Sequence, residues 1–185
     1  KDTIYMLSNS LVDEIKAQQV LAAAEAGELT LEPVRLNSLH LLYELLGIYR
    51  SHEVIQQRKL EIGRDAEPVI FVSDKTLVRR VVSNMIKNAL EAARPGQMVT
   101  ICCRPVETDV EFSVHNPNEI PRKVQLQIFQ RSFSTKGAGR GLGTYSMKFL
   151  SERYLHGNVA FASTAEDGTT FYVRYPRELP PANRP

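Results

Sequence analysis

The sequence contains little that is typical of secreted, disulfide-bonded proteins. Its 185 residues include no tryptophan and only two cysteines, Cys102 and Cys103. Adjacent side chains in a β-rich stretch point to opposite faces of a sheet, so these two thiols are poorly placed to form a disulfide with each other. A pair of cysteines in this arrangement fits a reducing cytoplasm.

Long apolar runs and a strong charge of either sign are also missing. The apolar runs fall far short of the roughly 18 residues that span a bilayer, and no secretory leader is visible. The net charge is only +2, and the basic residues are spread along the chain, which argues against a nucleic-acid surface. The chain begins at Lys1. We therefore expect a piece of a longer, cytoplasmic protein, with a membrane anchor conceivable only in a missing N-terminal region.

The composition that is present fits one globular domain with an additional helix. Hydrophobic residues make up 43% of the chain and charged residues 24%, which is ordinary for a soluble protein of this size. The predicted strands and helices follow one another in a mixed order. This order predicts an α+β fold: a two-layer sandwich whose mixed sheet is covered by helices on one face, plus an N-terminal helix.

The helical period at the N-terminus predicts one helix over residues 3–26, with Gly27 as its stop. A single amphipathic helix at a chain end must bury its apolar stripe, either on a partner helix or on its own domain. We divide the chain accordingly into the helical segment 1–27, a linker 28–34, a main domain 35–177 and a loose tail 178–185.

The main domain shows alternating signals for helices and strands. The patterns predict helices over residues 36–57, 75–93, 124–129 and 144–154, and strands over residues 59–64, 68–72, 98–106, 110–114, 158–163 and 169–175. Asn37 is a candidate cap of the first of these helices, and Ser73 or Asp74 of the second. The long irregular stretch 117–143 indicates a functional loop, because structureless loops of this length are uncommon in compact domains.

Two asparagines mark one face of the helix predicted over residues 75–93. Asn84, Asn88 and Glu91 share a face that differs from the apolar one. Asparagine is a mediocre residue inside a helix because its side chain competes for backbone groups. One interpretation is that the amide oxygens bind a hard cation. The alternative is a solvated polar face.

The segment Phe133–Gly143 reads FSTKGAGRGLG and leads directly into a helix. Its glycines allow the backbone to approach a ligand closely, and the N–H groups at the start of the helix form an anion site. Lys136 and Arg140 add the positive charge that a polyphosphate requires. The spacing matches neither a Walker loop nor a dinucleotide fingerprint. The alternative is a flexible surface loop.

Four segments in this order resemble the GHKL ATPases, which include gyrases, heat-shock chaperones, mismatch-repair proteins and histidine kinases. Residues 84–92 (NMIKNALEA) resemble the N box and residues 139–143 (GRGLG) the second glycine box. Residues 128–136 (IFQRSFSTK) resemble the F box of the kinases, and residues 168–171 (GTTF) the strand that closes the adenine pocket. The resemblance covers about residues 36–176. The F box favours sensor histidine kinases over the other branches.

This resemblance implies ATP and Mg²⁺ as cofactors and a role for each matching residue. Asn88 would be the Mg²⁺ ligand that bridges the metal to the phosphates, and Asn84 would support it one turn earlier. The implied catalytic residues are Asn84, Lys87 and Lys136. The residues implied to bind the nucleotide are Asn84, Asn88, Asn116, Arg131, Lys136, Gly139, Arg140, Gly141, Leu142, Gly143 and Thr169. Phe129 would pack the lid rather than touch the nucleotide.

One box departs from the family pattern. The family has Asp-x-Gly-x-Gly after the hairpin, and its aspartate accepts a hydrogen bond from the adenine amino group. Residues 114–121 read VHNPNEIP here, with Asn116 at the aspartate position, Asn118 at the first glycine and one residue deleted. An asparagine oxygen accepts the same bond, weakened by about 1 kcal/mol without charge assistance. The alternative function is therefore a non-catalytic nucleotide-binding module with a degenerate adenine box.

The resemblance also implies a phosphoacceptor that this chain does not contain. His52 precedes Glu53, as in an acceptor histidine, but lies at the end of the helix that opens the main domain. The helix over residues 3–26 resembles the second helix of the acceptor hairpin, through which the full-length protein would form a homodimer. The implied activity is transfer of the ATP γ-phosphoryl group to a histidine elsewhere, and then to the receiver domain of a response regulator.

An ATP hydrolase from another branch of the superfamily is a further alternative. In those branches a glutamate one turn before the metal-binding asparagine activates water. Asn84 occupies this position, and an amide does not act as a base. The sequence therefore favours phosphoryl transfer over hydrolysis.

Overall fold

The computed structural model describes residues 2–50, 55, 57–131 and 142–179, except for several side chains near the start of the first helix. The chain forms two compact units, Lys1–Leu31 and Glu32–Pro185, and the boundary falls inside the predicted linker. The first unit contains helix α1, Asp2–Glu25. Gly27 adopts a positive φ of 75°, and Glu28 N donates to Ala23 O over 2.9 Å. This is the glycine stop that the sequence predicts.

The second unit contains the remaining helices and strands. Its helices are α2 (Ser38–Arg50), α3 (Lys75–Ala92), α4 (Arg122–Gln125) and α5 (Leu142–Arg153). Its strands are β1 (Pro33–Asn37), β2 (Lys59–Ile62), β3 (Ile70–Asp74), β4 (Met98–Val106), β5 (Asp109–Asn116), β6 (Asn158–Thr164) and β7 (Gly168–Pro176). Within the described ranges, no helix is both long enough and apolar enough to cross a bilayer.

The principal sheet has five strands in the order β2-β4-β5-β7-β6. Strand β2 runs parallel to β4, and the other neighbours are antiparallel. One face of β5 presents Val110, Phe112 and Val114, which are almost completely buried. Helices α3 and α5 also pack against each other and against this sheet. The predicted fold class, a mixed sheet covered by helices in an α+β sandwich, is confirmed.

The predicted start of the domain was wrong in one respect. Residues 33–37 form β1, which pairs with β3 so that Pro33 lies opposite Asp74 and Asn37 opposite Ile70. The sequence predicted a linker and a helix beginning at Leu36. A strand whose partner lies far along the chain leaves only a weak local signal. The helix begins at Ser38, where Asn37 Oδ1 accepts from His40 N at 3.0 Å, as expected of its cap.

Helix α3, which carries the candidate ligands, begins at the predicted residue and ends one residue earlier than predicted. Asp74 is its N-cap and accepts a hydrogen bond of 3.0 Å from Leu77 N. The helix ends at Ala92, two residues before Arg94, because Arg94 precedes a proline and a residue before proline is driven out of the helical region. Its apolar face is buried in the domain. The cap and the packing therefore fix the direction in which the other face points.

Candidate nucleotide site

The asparagine face of α3 contacts the first turn of α5. Asn84 Nδ2 lies 3.5 Å from the carbonyl oxygen of Gly143 and 3.3 Å from Ser146 Oγ. The Ser146 hydroxyl also donates to Gly143 O, over 3.2 Å. Gly143 is the last residue of the predicted glycine box. The side chain of Asn84 therefore connects the predicted N box to the end of that box.

Asn88 lies one turn further along α3 and faces the same glycine. A Cβ built on Gly143 would lie 3.9 Å from Asn88 Oδ1 and 4.0 Å from Asn88 Nδ2. The Nδ2 atom is buried and has no hydrogen-bond partner among the described residues. An unpaired buried donor is costly, and such groups in native proteins call for an explanation. A phosphate oxygen is a partner that this donor could bind.

The chemistry of this amide pair suits a magnesium ion shared with a substrate. In the described part of the chain, no three His, Cys, Asp or Glu side chains are placed to hold a metal. Mg²⁺ is usually held by one or two protein oxygens, with water and substrate phosphates completing its octahedral shell. The amide oxygens of Asn84 and Asn88 could supply such ligands. Lys87 is half-buried beside Asn88 on the same helix, and its role stays a prediction.

The predicted adenine residues lie at the end of the central strands. Asn116 and Thr169 are directly paired between β5 and β7. Asn116 is 3% exposed and Thr169 0%. Asn116 Oδ1 accepts from Asn118 N at 3.1 Å, while the Thr169 hydroxyl donates to Asn118 O at 2.7 Å. The two residues are therefore neighbours. Both bond to Asn118, in the loop that departs from the family pattern (the altered adenine loop, residues 116–121).

Asn118 has a structural role that sequence reasoning did not predict. Its Nδ2 donates to Ala92 O at 3.0 Å and to Gln97 Oε1 at 2.7 Å, and its Oδ1 accepts from Gln97 Nε2 at 3.3 Å. The loop after β5 is thereby attached to the last turn of α3. The available signal was an amide side chain at a position where the family has a flexible glycine.

Gly168 closes this end of the site for a steric reason. Its φ is +71°, and an added Cβ would lie 2.3 Å from Asn116 O and 2.7 Å from Pro117 Cα. No other residue fits this close approach without displacing the backbone. The predicted closing motif, residues 168–171, therefore packs directly against the altered adenine loop.

The segment between α4 and α5 is described only up to Arg131. Phe129 packs edge-on against Phe161 of β6 and Phe171 of β7, with ring centres 5.8 and 6.3 Å apart. Its packing against the lid stays a prediction. The guanidinium of Arg131 lies 5.9 Å from the centre of the Tyr145 ring, within the range of a cation–π contact. Lys136, Gly139, Arg140 and Gly141 lie outside the described residues, whereas Leu142 and Gly143 begin α5.

This arrangement coincides with a known family. The model of the histidine kinase-, DNA gyrase B-, and HSP90-like ATPases matches residues 73–179, which contain α3, the altered loop, α5 and the closing strand. The chain belongs to this family. The match covers more than half of the chain, and the fold described above agrees with it. Membership in this ATPase family supports the use of ATP.

Individual proteins similar to the chain include a sensor protein and a histidine kinase domain. The chain is 28% identical to the heme sensor protein HssS of Staphylococcus haemolyticus over 151 residues, which are 76% of the chain and 33% of that protein. The catalytic domain of histidine kinase ThkA superposes with a TM-score of 0.68 at 25% identity, covering 80% of the chain and 97% of that domain. The chain thus spans about a third of the length of the curated relative.

A larger structure, histidine kinase ThkA in complex with the response regulator protein TrrA, superposes with a TM-score of 0.71. The superposition covers 96% of the chain and 51% of that kinase chain, at 22% identity. At this level of identity the comparison supports the fold. It agrees with the sandwich described above.

Proposed function

We propose that the chain is the ATP-binding catalytic part of a two-component sensor histidine kinase. The observation that carries the proposal is the convergence of Asn84 and Asn88 on Gly143, at the end of the glycine box. This geometry juxtaposes amide ligands, an unpaired buried donor and the start of a helix. Such a combination suits the phosphate end of a nucleotide. The names of related proteins, among them the sensor histidine kinase CusS of Escherichia coli, support the same branch of the family.

The proposed mechanism is positioning and electrostatic stabilisation. Asn88, supported by Asn84, would hold Mg²⁺, which neutralises phosphate charge when bound. Lys87 and the cations of the glycine segment, Lys136 and Arg140, would bind the phosphate oxygens. An imidazole nitrogen of an acceptor histidine outside this chain would form a bond to the γ-phosphorus as the bond to the bridging oxygen breaks. ADP leaves, and no residue of this chain becomes covalently modified.

At the other end of the nucleotide, Asn116 would accept a hydrogen bond from the adenine amino group. Its Oδ1 already accepts from Asn118 N, but an amide oxygen has a second lone pair. Thr169 would help to fix the base, with its hydroxyl held by Asn118 O and Ser163 Oγ. Arg131 and the backbone from Gly139 to Gly143 would cover the phosphates.

The proposed partners follow from the family context. A response regulator receiver domain would take the phosphate from the acceptor histidine, and the ThkA–TrrA complex supports such a partner. In the full-length protein, α1 would pair with a second copy to form a homodimer. Val12 and Ile15 on α1 are 44% and 53% exposed, which leaves apolar surface available to a partner helix. The catalytic part would lie in the cytoplasm.

Transfer from ATP labelled at the γ-phosphate tests this proposal. The chain is mixed with Mg²⁺ and a separate helical hairpin that carries an acceptor histidine from a related sensor kinase. We expect label on the hairpin, and loss of this label when Asn88→Ala is used or the acceptor histidine is replaced. ATP binding without transfer to such hairpins would favour the second candidate, a regulatory nucleotide-binding module, which the altered adenine loop suggests.

A further inference from the structure

Ser146 lies in the first turns of α5, outside the glycine box, yet its hydroxyl belongs to the same polar cluster as Asn84. The residue is only 3% exposed. Its Oγ accepts from Asn84 Nδ2 at 3.3 Å and donates to Gly143 O at 3.2 Å. A buried serine in a helix usually bonds within its own helix. This hydroxyl also reaches a second helix.

The bonding pattern determines which end of the Asn84 amide is available to a ligand. The NH₂ group has two protons, and among the described residues it lies within reach of two acceptors, Ser146 Oγ and Gly143 O. With the nitrogen held at α5, the carbonyl oxygen is the part of the amide left to meet a cation. Without the serine hydroxyl, the nitrogen would keep only the longer contact to Gly143 O, at 3.5 Å, so the amide would be held less firmly in this orientation.

We infer that Ser146 is a positioning residue, which orients the Asn84 amide so that its oxygen faces the metal–phosphate end of the site. The inference rests on the proposed function, because it assumes that Asn84 supports a metal-bound nucleotide. It adds a residue outside the recognised boxes. It also links the orientation of the Asn84 amide to Gly143, where the glycine segment enters α5.

The test compares Ser146→Ala with Ser151→Ala in the same helix. Ser151 is fully buried and its hydroxyl lies 2.8 Å from the Tyr175 hydroxyl, so its replacement removes a buried hydrogen bond that does not involve Asn84. Calorimetric titration measures the Kd for ATP with Mg²⁺ and with a chelator. Ser146→Ala should raise the Kd with Mg²⁺ about five- to tenfold and the Kd without it less than about twofold. Ser151→Ala should lower Tm and change neither Kd.

A double-mutant cycle and a metal-free measurement make the test specific. In the Asn84→Ala background, Ser146→Ala should change the Kd with Mg²⁺ by less than about twofold, because the contact is already lost. In the free chain, Ser146→Ala should shift the NMR signals of the Asn84 NH₂ protons, and Ser151→Ala should not. Additive effects in the cycle, or equal effects on both Kd values, would overturn the inference about Ser146 and leave the proposed function standing. A wild-type chain that binds no nucleotide would overturn the proposed function and this inference with it.

Discussion

The side-chain amide of Asn118 donates a 3.0 Å hydrogen bond to the carbonyl oxygen of Ala92, the last residue of α3. Carbonyl oxygens in the last turn of a helix have no partner within the helix. Asn118 supplies one, and its reciprocal pair with Gln97 strengthens the connection. The altered adenine loop is therefore held by side-chain hydrogen bonds at a position where the family has a flexible glycine.

Restoring this glycine should weaken the domain. We expect Asn118→Gly to lower the free energy of unfolding by about 1–2 kcal/mol, because it removes the amide bonds and adds backbone freedom. The Kd for ATP should rise severalfold, since Asn116 and Thr169 bond to the backbone N–H and carbonyl of residue 118, which the loosened loop would no longer hold in place. Gln97→Ala serves as the partner variant, and its effect should be non-additive with that of Asn118→Ala. An unchanged unfolding curve would show that the loop does not depend on this connection.

Restoring the family carboxylate should strengthen binding. In Asn116→Asp, a charged oxygen would accept from both Asn118 N and the adenine amino group, so we expect the Kd for ATP to fall about fivefold. The nucleotide-free variant should have a lower Tm, because the side chain is 3% exposed and a buried charge is costly. Calorimetric titration and thermal unfolding check both effects. Weaker binding of ATP to Asn116→Asp would contradict the assigned role of this position.

Glu111 connects three strands on the face of the sheet opposite the buried apolar residues of β5. Its carboxylate is 1% exposed and lies 2.8 Å from Arg104 Nη2 and 2.6 Å from Arg174 Nε. The hydrogen bond that Arg104 donates to the Glu111 carboxylate raises the pKa of Arg104 above its usual value. Glu111→Ala should lower the free energy of unfolding by about 2–3 kcal/mol, because it leaves two arginines without their shared carboxylate. Chemical denaturation measures this loss.

The control for this variant is Glu61→Ala, on the exposed side of β2. Replacing a solvated carboxylate should change stability by less than about 0.5 kcal/mol. Equal, small losses in the free energy of unfolding for both variants would show that the pairing of Glu111 with the two arginines does not stabilise the fold.

Neither cysteine should react quickly in the folded chain at neutral pH. Burial, with the nearby Asp65 carboxylate as a smaller cause, raises the pKa of the Cys102 thiol to about 11, and burial raises that of Cys103. The thiolate is the reactive form. Thiol-specific labelling at pH 7.5 should therefore be slow in the native chain and fast in denaturant. The pKa of Cys102 in the folded chain lies above the ordinary value of 9.0. The contribution of the buried neutral thiol to the free energy of unfolding is therefore complete below pH 9 and is lost as the pH rises toward 11. Rapid native labelling would contradict this account.

Local signals explain what could be predicted of the fold. Helix α3 has an apolar period, the cap Asp74 and the stop at Arg94-Pro95, and these fixed its ends to within one residue. Strand β1 had no comparable signal, because its stability depends on β3 across the intervening α2 and β2. Pairing between segments distant along the chain is not encoded in a local pattern.

The same distinction applies to the site. The helical period alone places Asn84 and Asn88 on one face, so their proximity could be predicted. The contact of Asn84 with Ser146 could not, because it depends on how α5 packs against α3. The connection from Asn118 to Ala92 likewise requires the chain to return to α3 after two strands. Family boxes identified the candidate residues, and the tertiary structure shows the contacts of those that lie in the described ranges.

Titration of the wild-type chain and the Asn88→Ala variant with ATP and Mg²⁺ tests the central claim most directly. The account predicts saturable, one-to-one binding by the wild-type chain and at least about tenfold weaker binding by the variant. In the absence of nucleotide the Tm of the variant should be no lower than that of the wild-type chain, because the substitution removes an unpaired buried donor. The comparison uses a residue whose buried amide nitrogen has no partner in the described part of the molecule. Equal affinities of the two chains, or no binding by either, would contradict the account.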